Sequence, residues 1–216
     1  MLYICRMDKP ASFIIENGLK LPVIEEFYSV QGEGFHTGKP AYFIRLVGCD
    51  IGCHWCDTKY AWNYETHRLT DVKTIVNNAV QYPASAVVVT GGEPTQYNLQ
   101  SITLALKTNG LKTYLETSGI FLLSGEWDWI CLSPKQQSPP LIGYFNIAGE
   151  LKVIIQDEED FRWAEENASK VNPSCRLYLQ PEWSKYKTII PLIVEYVKND
   201  PKWNISLQIH KFMKIP

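Results

Sequence analysis

The chain has 216 residues, of which 45% are hydrophobic and 20% are charged, and its formal net charge is −2 at pH 7. A chain of this length buries a core of its own, so a single domain over residues 1–216 is expected. The small net charge and the lack of a basic run argue against a nucleic-acid partner. No segment approaches about 18 apolar residues, and the first residues lack the apolar core of a secretory signal. These features predict a cytoplasmic enzyme with no membrane contact and a small-molecule substrate.

The chain opens with apolar runs at 13–15 and 21–24 on either side of Asn17-Gly18. This pattern predicts a hairpin within an N-terminal extension over residues 1–26. Residues 41–47 then predict a buried strand that contains one charge, Arg45. A guanidinium inside an apolar strand needs a partner or a ligand.

Strands and helices alternate along the rest of the chain. Thr70 is predicted to cap a helix that ends near Tyr82, and Asp157 to cap one that runs to about Val171. Further helices are predicted at 99–108 and 187–198, and strands at 86–89, 113–115, 128–132, 151–155, 175–179 and 205–209. This order predicts parallel βαβ units with right-handed crossovers. About six strands are too few to close an eight-unit barrel. The expected fold class is therefore α/β, as an open partial (β/α)6 TIM-type barrel, with a doubly wound sheet as the alternative.

Three cysteines lie close together in the loop after the predicted strand 41–47. Cys49, Cys53 and Cys56 have the spacing Cys-x3-Cys-x2-Cys, in which three thiolates can bind one metal centre. A structural zinc site needs four protein ligands, and only His54 within this loop could complete one. Unligated packing cysteines are a further alternative. An iron–sulfur cluster held by three cysteines keeps one iron open, which S-adenosylmethionine (SAM) can chelate. With Trp55 before the third cysteine, the loop resembles the radical SAM signature.

The other cysteines are scattered. Cys131 and Cys175 are predicted to be buried small hydrophobic residues in strands, and Cys5 is uninformative. Six cysteines in a chain of this length do not make a disulfide-dense protein. The close group of three thiols therefore favours metal binding in a reducing compartment.

Unusual polar and glycine residues follow the carboxyl ends of the predicted strands. In parallel α/β folds these ends share one face, where ligands bind and catalytic residues collect. One such loop taken singly could be ordinary turn punctuation, but six on one face predict an active site. The six loops are Cys49–Thr58, Thr90–Pro94, Glu116–Gly119, Ser133–Lys135, Gln180–Trp183 and the segment from His210 onward.

Several motifs together resemble the 7-carboxy-7-deazaguanine synthase family of radical SAM enzymes, which serves queuosine and 7-deazapurine biosynthesis. The resemblance covers nearly the whole chain. It rests on Gln31-Gly32-Glu33-Gly34, Arg45, Cys56-Asp57-Thr58, Thr90-Gly91-Gly92-Glu93-Pro94, Ser133-Pro134-Lys135, Gln180-Pro181 and a final proline, Pro216. The resemblance implies conversion of 6-carboxy-5,6,7,8-tetrahydropterin to 7-carboxy-7-deazaguanine with loss of ammonia. In the implied mechanism, a reduced cluster cleaves SAM, the resulting radical takes hydrogen from the substrate, and SAM is regenerated.

The resemblance also implies residue roles. Cys49, Cys53 and Cys56 would hold a 4Fe-4S cluster, and Thr58 would bind Mg²⁺, although its hydroxyl could instead bond nearby backbone. The implied SAM-binding residues are Trp55, Asp57, Gly91, Gly92, Glu93, Ser133, Pro134, Lys135, Gln180, Pro181, Glu182 and Trp183. The implied pterin-binding residues are Val30, Gln31, Gly32, Glu33, Arg45, Thr90 and Pro216.

Two of these roles carry a chemical expectation. Arg45 could bind a substrate carboxylate with both guanidinium nitrogens. The α-carboxylate of Pro216 is expected to accept hydrogen bonds from the donor edge of the pterin. No role is predicted for His54, Glu116 or His210.

The implied partners are an external electron donor such as flavodoxin or ferredoxin and a second copy of the chain in a homodimer. Two alternatives stay open at this point. A glycyl-radical activase would share the cysteine loop and the Gly91-Gly92-Glu93-Pro94 loop, but it would lack Gln31-Gly32-Glu33-Gly34 and the final proline. A non-catalytic zinc or iron–sulfur module would bind metal without cleaving SAM.

Overall fold

The structure is a computed structural model that describes residues 18–64 and 69–216. The strands are β1 (Lys20–Val30), β2 (Pro40–Leu46), β3 (Leu69–Asp71), β4 (Ala86–Gly91), β5 (Lys112–Thr117), β6 (Trp129–Leu132), β7 (Glu150–Ile155), β8 (Arg176–Pro181) and β9 (Trp203–Ile205). The helices are α1 (Val72–Ala79), α2 (Gln100–Thr108), α3 (Gly143–Ile147), α4 (Glu159–Ala168), α5 (Tyr186–Asn199) and α6 (Ile209–Met213).

The strands form one sheet in the order β3-β1-β2-β4-β5-β6-β7-β8-β9. Every neighbouring pair from β2 to β9 is parallel, whereas β1 runs antiparallel to both β2 and β3. The two end strands, β3 and β9, do not pair with each other, so the sheet stays open. The predicted α/β class and the open partial barrel are confirmed.

Alternation along the strands divides the core into two clusters. Ile44 and Leu46 belong to the larger cluster, which also contains the buried hydrophobic residues of helices α1 and α2. Their neighbours Ala41 and Phe43 belong to a smaller cluster with Val88. Because side chains alternate between the two faces of a strand, Arg45 shares the face of Phe43. A fully buried aliphatic side chain such as Ile44 contributes about 2 kcal/mol of hydrophobic stabilisation.

Three predicted helix boundaries are wrong. Thr70 does not cap the first helix, because it pairs with Leu21 in the β1–β3 ladder and α1 begins only at Val72. Helices α1 and α4 end at Ala79 and Ala168, before the predicted ends near Tyr82 and Val171. The structure also contains α3, which was not predicted. The first strand of the predicted N-terminal hairpin, 13–15, lies outside the described residues, while its second strand extends as β1 to Val30.

The predicted last strand, 205–209, is also wrong. The β9 strand ends at Ile205, and residues from Ile209 form helix α6. The Ser206 N–H still donates to the carbonyl of Leu179, but the Ile209 N–H donates to the carbonyl of Gly32. The chain therefore leaves the sheet and crosses to the β1–β2 loop.

Candidate active site

One cavity extends from the carboxyl ends of the parallel strands into the barrel. All the residues predicted for a site line it except Pro134, which is buried in its loop. The sequence predictions missed other lining residues, although Glu116 and His210 were singled out without a role. These additional residues are Phe27, Phe43, Ile51, Trp62, Val88, Glu116, Thr117, Ser118, Lys152, Ile154, Gln208 and His210.

The three clustered cysteines are free and line this cavity. Cys53 is buried and accepts a hydrogen bond from Gln137 Nε2 at 3.2 Å, while Cys49 and Cys56 are half-buried. Burial is the main cause that raises the pKa of Cys49 to about 11, and the other two thiols add to it. A cationic centre would offset this burial and stabilise the thiolates. Three thiols on one loop, facing one cavity, fit the donor set of an iron–sulfur cluster with three protein ligands.

The zinc alternative needs His54 as its fourth ligand. The exposed His54 does not line the cavity. Cys131 lies buried in β6 as predicted, whereas Cys175 is buried but precedes β8 by one residue.

Lys135 brings a half-buried positive charge to the cysteine loop. Its ammonium donates to Ser133 Oγ at 2.7 Å and lies 5.1 Å from the centre of the Trp55 ring, a cation–π distance. Burial is the main cause that lowers the pKa of Lys135, and Cys53 opposes it. The Lys135 ammonium is therefore placed to form an ion pair with an anionic group of a ligand in the cavity.

The carboxylate of Glu93 is saturated by the protein. Its Oε1 accepts from the Thr95 N–H at 3.1 Å and from the Thr117 hydroxyl at 2.5 Å. Its Oε2 accepts from the Ser118 N–H at 2.8 Å. Glu93 is only 1% exposed, so it ties the β4 loop to the β5 loop from inside the protein.

Glycine is required at positions 91 and 92 because neighbouring backbone leaves no room for a side chain. A Cβ on Gly92 would lie 2.1 Å from the carbonyl oxygen of Gly48, and one on Gly91 would lie 2.1 Å from that of Leu46. Contacts below 3.0 Å with backbone cannot be relieved by a side-chain rotation. These two implied SAM-binding glycines therefore allow the β4 loop to pack against the backbone that leads into the cysteine loop.

Glu33, Lys152 and Glu116 form a buried ion network in the cavity. The ammonium of Lys152 lies 2.6 Å from Glu33 Oε2 and 2.8 Å from Glu116 Oε2. Gln31 Nε2 donates to Glu116 at 3.2 Å, and Gln208 Nε2 donates to Glu33 at 2.8 Å. Burial would raise the pKa of Glu33, but Lys152 lowers it to about 2. A charge within the apolar strand 151–155 was the sequence signal that could have identified Lys152.

Arg45 has the partner that its position requires. Its Nε lies 2.5 Å from Glu25 Oε1, which also accepts from the Tyr60 hydroxyl at 2.8 Å. The Arg45 side chain is 16% exposed and lines the cavity. The ion pair with Glu25 thus holds the guanidinium at the cavity wall.

The C-terminal segment closes over the cysteine loop. Lys211 lies 2.6 Å from Asp57 Oδ2, which also accepts from Gln208 Nε2 at 2.9 Å. The Trp183 ring contacts Phe212 edge-on with centroids 5.2 Å apart. The predicted site residues Asp57 and Trp183 therefore contact this segment. At its end, a carboxyl-terminal oxygen of Pro216 accepts from the Ser29 hydroxyl at 3.0 Å.

Three further predicted residues are engaged by neighbouring protein groups. The Glu182 carboxylate caps the turn that follows it, accepting from the Ser184 N–H at 3.0 Å. The buried side chain of Gln180 accepts from Ser206 Oγ at 2.6 Å. The Thr58 hydroxyl lies 3.5 Å from Cys56 Sγ, so it stays at the edge of the cysteine loop.

Comparison with known proteins shows to which family this chain belongs. Residues 43–131 match the model of the radical SAM superfamily. A 7-carboxy-7-deazaguanine synthase from Flavobacterium psychrophilum is 50% identical over 210 residues, which cover 97% of this chain and all of the relative. The chain belongs to the 7-carboxy-7-deazaguanine synthase family.

Further similarities extend the same result. The 7-carboxy-7-deazaguanine synthase of Synechocystis is 45% identical over 90% of this chain and 93% of its own. The crystal structure of QueE from Escherichia coli aligns with a TM-score of 0.77 at 29% identity, over 87% of this chain and 93% of that chain. As a member of the 7-carboxy-7-deazaguanine synthase family, the chain is a radical SAM enzyme whose cofactors are SAM and a 4Fe-4S cluster. In the described ranges, no helix is long and apolar enough to cross a membrane.

Proposed function

We propose that this chain converts 6-carboxy-5,6,7,8-tetrahydropterin to 7-carboxy-7-deazaguanine and ammonia, in the biosynthesis of queuosine and other 7-deazapurines. The observation that carries the proposal is that the cysteine loop and the buried network around Glu33 line one cavity. The first offers the donor set for the cluster, and the second offers polar contacts for a nitrogen heterocycle. The product and ammonia together contain all the atoms of the substrate.

Cys49, Cys53 and Cys56 would hold the 4Fe-4S cluster. When bound, the cluster and SAM supply the radical chemistry that removes a hydrogen atom from the substrate. The protein orients the SAM cofactor and excludes water from it. Lys135 and Ser133 would contact its carboxylate or ribose, because they form a charged, hydrogen-bonded pair at the cavity wall.

The remaining SAM contacts depend on which side chains are already hydrogen-bonded within the protein. The side chains of Glu93 and Glu182 are occupied by protein donors, so the backbone of residues 91–93 and 180–183 would contact the cofactor. The backbone of Gly91 and Gly92 would hold its amino end, and Gln180 and Pro181 its adenine. Trp55, Asp57, Pro134 and Trp183 would shape this part of the cavity.

The pterin would lie between the inner face of β2 and the β1–β2 loop. Arg45 is held at the wall by Glu25 and can donate its remaining N–H groups to the substrate carboxylate. Val30, Gln31, Gly32, Glu33 and Thr90 would surround the ring. Pro216 is exposed and linked to Ser29, so it would contact the pterin at the outer margin of the cavity.

We also propose that Thr58 takes part in binding Mg²⁺ with oxygen atoms of the substrate and water. A single hydroxyl is a weak magnesium ligand, so the substrate carboxylate would complete the site. Turnover should rise with added Mg²⁺ in the wild-type enzyme and much less in Thr58→Ala. Equal turnover with a chelator and with millimolar Mg²⁺ would remove Thr58 from the site.

The electron that starts the reaction would come from a flavodoxin or ferredoxin, and the enzyme would act as a homodimer. Reduction by dithionite replaces the donor protein in an assay. Light scattering of the purified enzyme measures the mass of the particle. A monomeric mass would contradict the homodimer.

The decisive experiment is anaerobic incubation of reconstituted protein with dithionite, SAM and 6-carboxytetrahydropterin. Mass analysis should show 7-carboxy-7-deazaguanine, and an enzymatic assay should show ammonia in equal amount. Cys49→Ala, Cys53→Ala and Cys56→Ala should each abolish cluster absorbance and SAM cleavage. Cys131→Ala is the matched control, because that thiol is buried in β6. SAM cleavage without the deazaguanine product would contradict the proposed function.

A further inference from the structure

The turn that follows β6 lies against the cysteine loop. Lys135 and Ser138 form an isolated β-bridge at the two ends of this turn, and the Ser138 N–H donates to the Lys135 carbonyl at 3.1 Å. Gln137 lies within the turn, and its Nε2 donates to Cys53 Sγ at 3.2 Å. The two residues are 84 positions apart along the chain. The contact therefore depends on the packing of two loops and not on local sequence.

The turn is anchored on its other side to the start of α4. Gln136 Nε2 donates to Asp160 Oδ1 at 2.7 Å, and Asp160 Oδ2 accepts from the Gln156 N–H at 2.7 Å. Asp160 is 6% exposed, whereas Gln136 and Gln137 are exposed. A buried carboxylate whose oxygens both accept hydrogen bonds is a rigid attachment point. Because Gln136 and Gln137 are adjacent, this anchor holds the Gln137 amide beside the cysteine loop.

The bond from Gln137 gains strength when Cys53 becomes a cluster ligand. The sulfur of a neutral thiol is a weak acceptor, but a thiolate carries negative charge and accepts a charge-assisted hydrogen bond. When a cluster takes up one electron, the negative charge on its ligands increases. An N–H donor at a ligand sulfur therefore stabilises the reduced cluster more than the oxidised cluster, and such bonds help to set the reduction potential.

We propose that Gln137 donates a hydrogen bond to the cluster ligand Cys53 and thereby raises the one-electron reduction potential of the 4Fe-4S cluster. Gln136 and Asp160 are positioning residues that hold this donor in place. The inference rests on the proposed cysteine ligands and adds a determinant of how readily the cluster is reduced. The electron that the cluster gains is lost by the external donor protein, or by dithionite in an assay.

A redox titration of the cluster tests this inference without the pterin. Reconstituted protein is titrated anaerobically with dithionite and redox mediators, and the reduced cluster is measured by electron paramagnetic resonance. Gln137→Met keeps the length of the side chain and removes the donor, so the iron content should equal that of the wild type. The ratio of reduced to oxidised cluster at a fixed potential should fall about fivefold to tenfold, which lowers the potential of a one-electron couple by about 40–60 mV.

Further variants separate the effect of the donor from that of packing. Gln137→Glu has the same shape but places a carboxylate beside the thiolate, so its potential should be lower than that of Gln137→Met. Gln137→Lys supplies a donor again and should restore the potential to the wild-type value or above it. Gln136→Met, which removes the bond to Asp160, should cause a smaller decrease. Gln100→Met, at the exposed start of α2, is the matched control.

Unchanged potentials in both Gln137→Met and Gln137→Glu would overturn the inference. A lower iron content with an unchanged potential of the remaining cluster would also overturn it, because that result would show a purely structural role. In either case, wild-type protein that forms the deazaguanine product would still support the proposed function. Wild-type protein that binds no iron–sulfur cluster would contradict the proposed cysteine ligands instead.

Discussion

Two loops of this protein have similar sequences, but their glutamate side chains have different partners. In Gln31-Gly32-Glu33-Gly34 and in Gly91-Gly92-Glu93-Pro94, glycine lies beside a carboxylate at the cavity. The Glu93 carboxylate is saturated by donors from its own loop and the β5 loop. The Glu33 carboxylate is paired with Lys152 and Gln208 and keeps acceptor capacity towards the cavity. The partners of each carboxylate, and not the motif that contains it, therefore decide whether it supports the fold or faces a ligand.

The largest expected effect tests this difference at the carboxylates. Glu93→Ala leaves the buried N–H groups of Thr95 and Ser118 without an acceptor, at about 1–3 kcal/mol each. We therefore expect a loss of about 3–5 kcal/mol in the free energy of unfolding, measured by urea denaturation. Glu33→Ala should lose less stability but more affinity for the pterin. Equal losses of stability in the two variants would contradict the structural role of Glu93.

The glycine beside Glu93 gives the next largest effect. A Cβ at residue 92 meets the Gly48 backbone, which cannot rotate away, so Gly92→Ala should destabilise the protein by about 3 kcal/mol. Cluster content should fall as well, because Gly48 leads directly into the cysteine loop. Gly143→Ala is the control, since no heavy atom lies within 4 Å of that Cβ position. A Gly92→Ala protein as stable as this control would show that the backbone contact is dispensable.

The pH dependence of unfolding measures what the charge of Glu33 contributes to stability. Its pKa is lowered from 4.5 to about 2, so its charged form contributes stability above pH 4.5 that is lost as the pH falls towards 2. The difference in unfolding free energy between wild type and Glu33→Gln should therefore be about 3 kcal/mol near neutral pH and shrink across that window. Denaturant midpoints measured at several pH values check this. A difference that does not change with pH would mean that Glu33 is not held by a charge.

The smallest effect is expected at the glycine beside Glu33. A Cβ at residue 32 would lie 2.2 Å from Nδ1 of His210, which is a side-chain atom that can move. Gly32→Ala should thus lower the free energy of unfolding by only about 1 kcal/mol. Its main consequence should be weaker pterin binding, because His210 also lines the cavity. Unfolding and ligand titration together separate the two effects, and unaltered pterin affinity would contradict this placement of Gly32.

Much of the site was predictable because each loop follows the end of a strand. The cysteine spacing, the Arg45 charge inside a strand and the polar residues after β4 to β8 all appear in local sequence. The structure places these residues around one cavity, as that pattern predicts. Lys152 was missed although it carries the same signal as Arg45, a single charge in an apolar strand. The C-terminal strand was predicted wrongly beyond Ile205 because the residues that follow suit a strand locally, but the Ile209 N–H bonds to Gly32 in the β1–β2 loop.

The sequence by itself determined the alternation of most strands and helices, the three-cysteine loop and the strand ends around which the candidate site lies. These features depend on periodicity and spacing, which act over a few residues. Only the tertiary structure decided that Glu93 is enclosed by hydroxyl and amide donors and that Glu33 meets Lys152, 119 residues away along the chain. Such partners are brought together by the packing of distant strands. The charge and the free acceptor sites of a buried carboxylate depend on that packing.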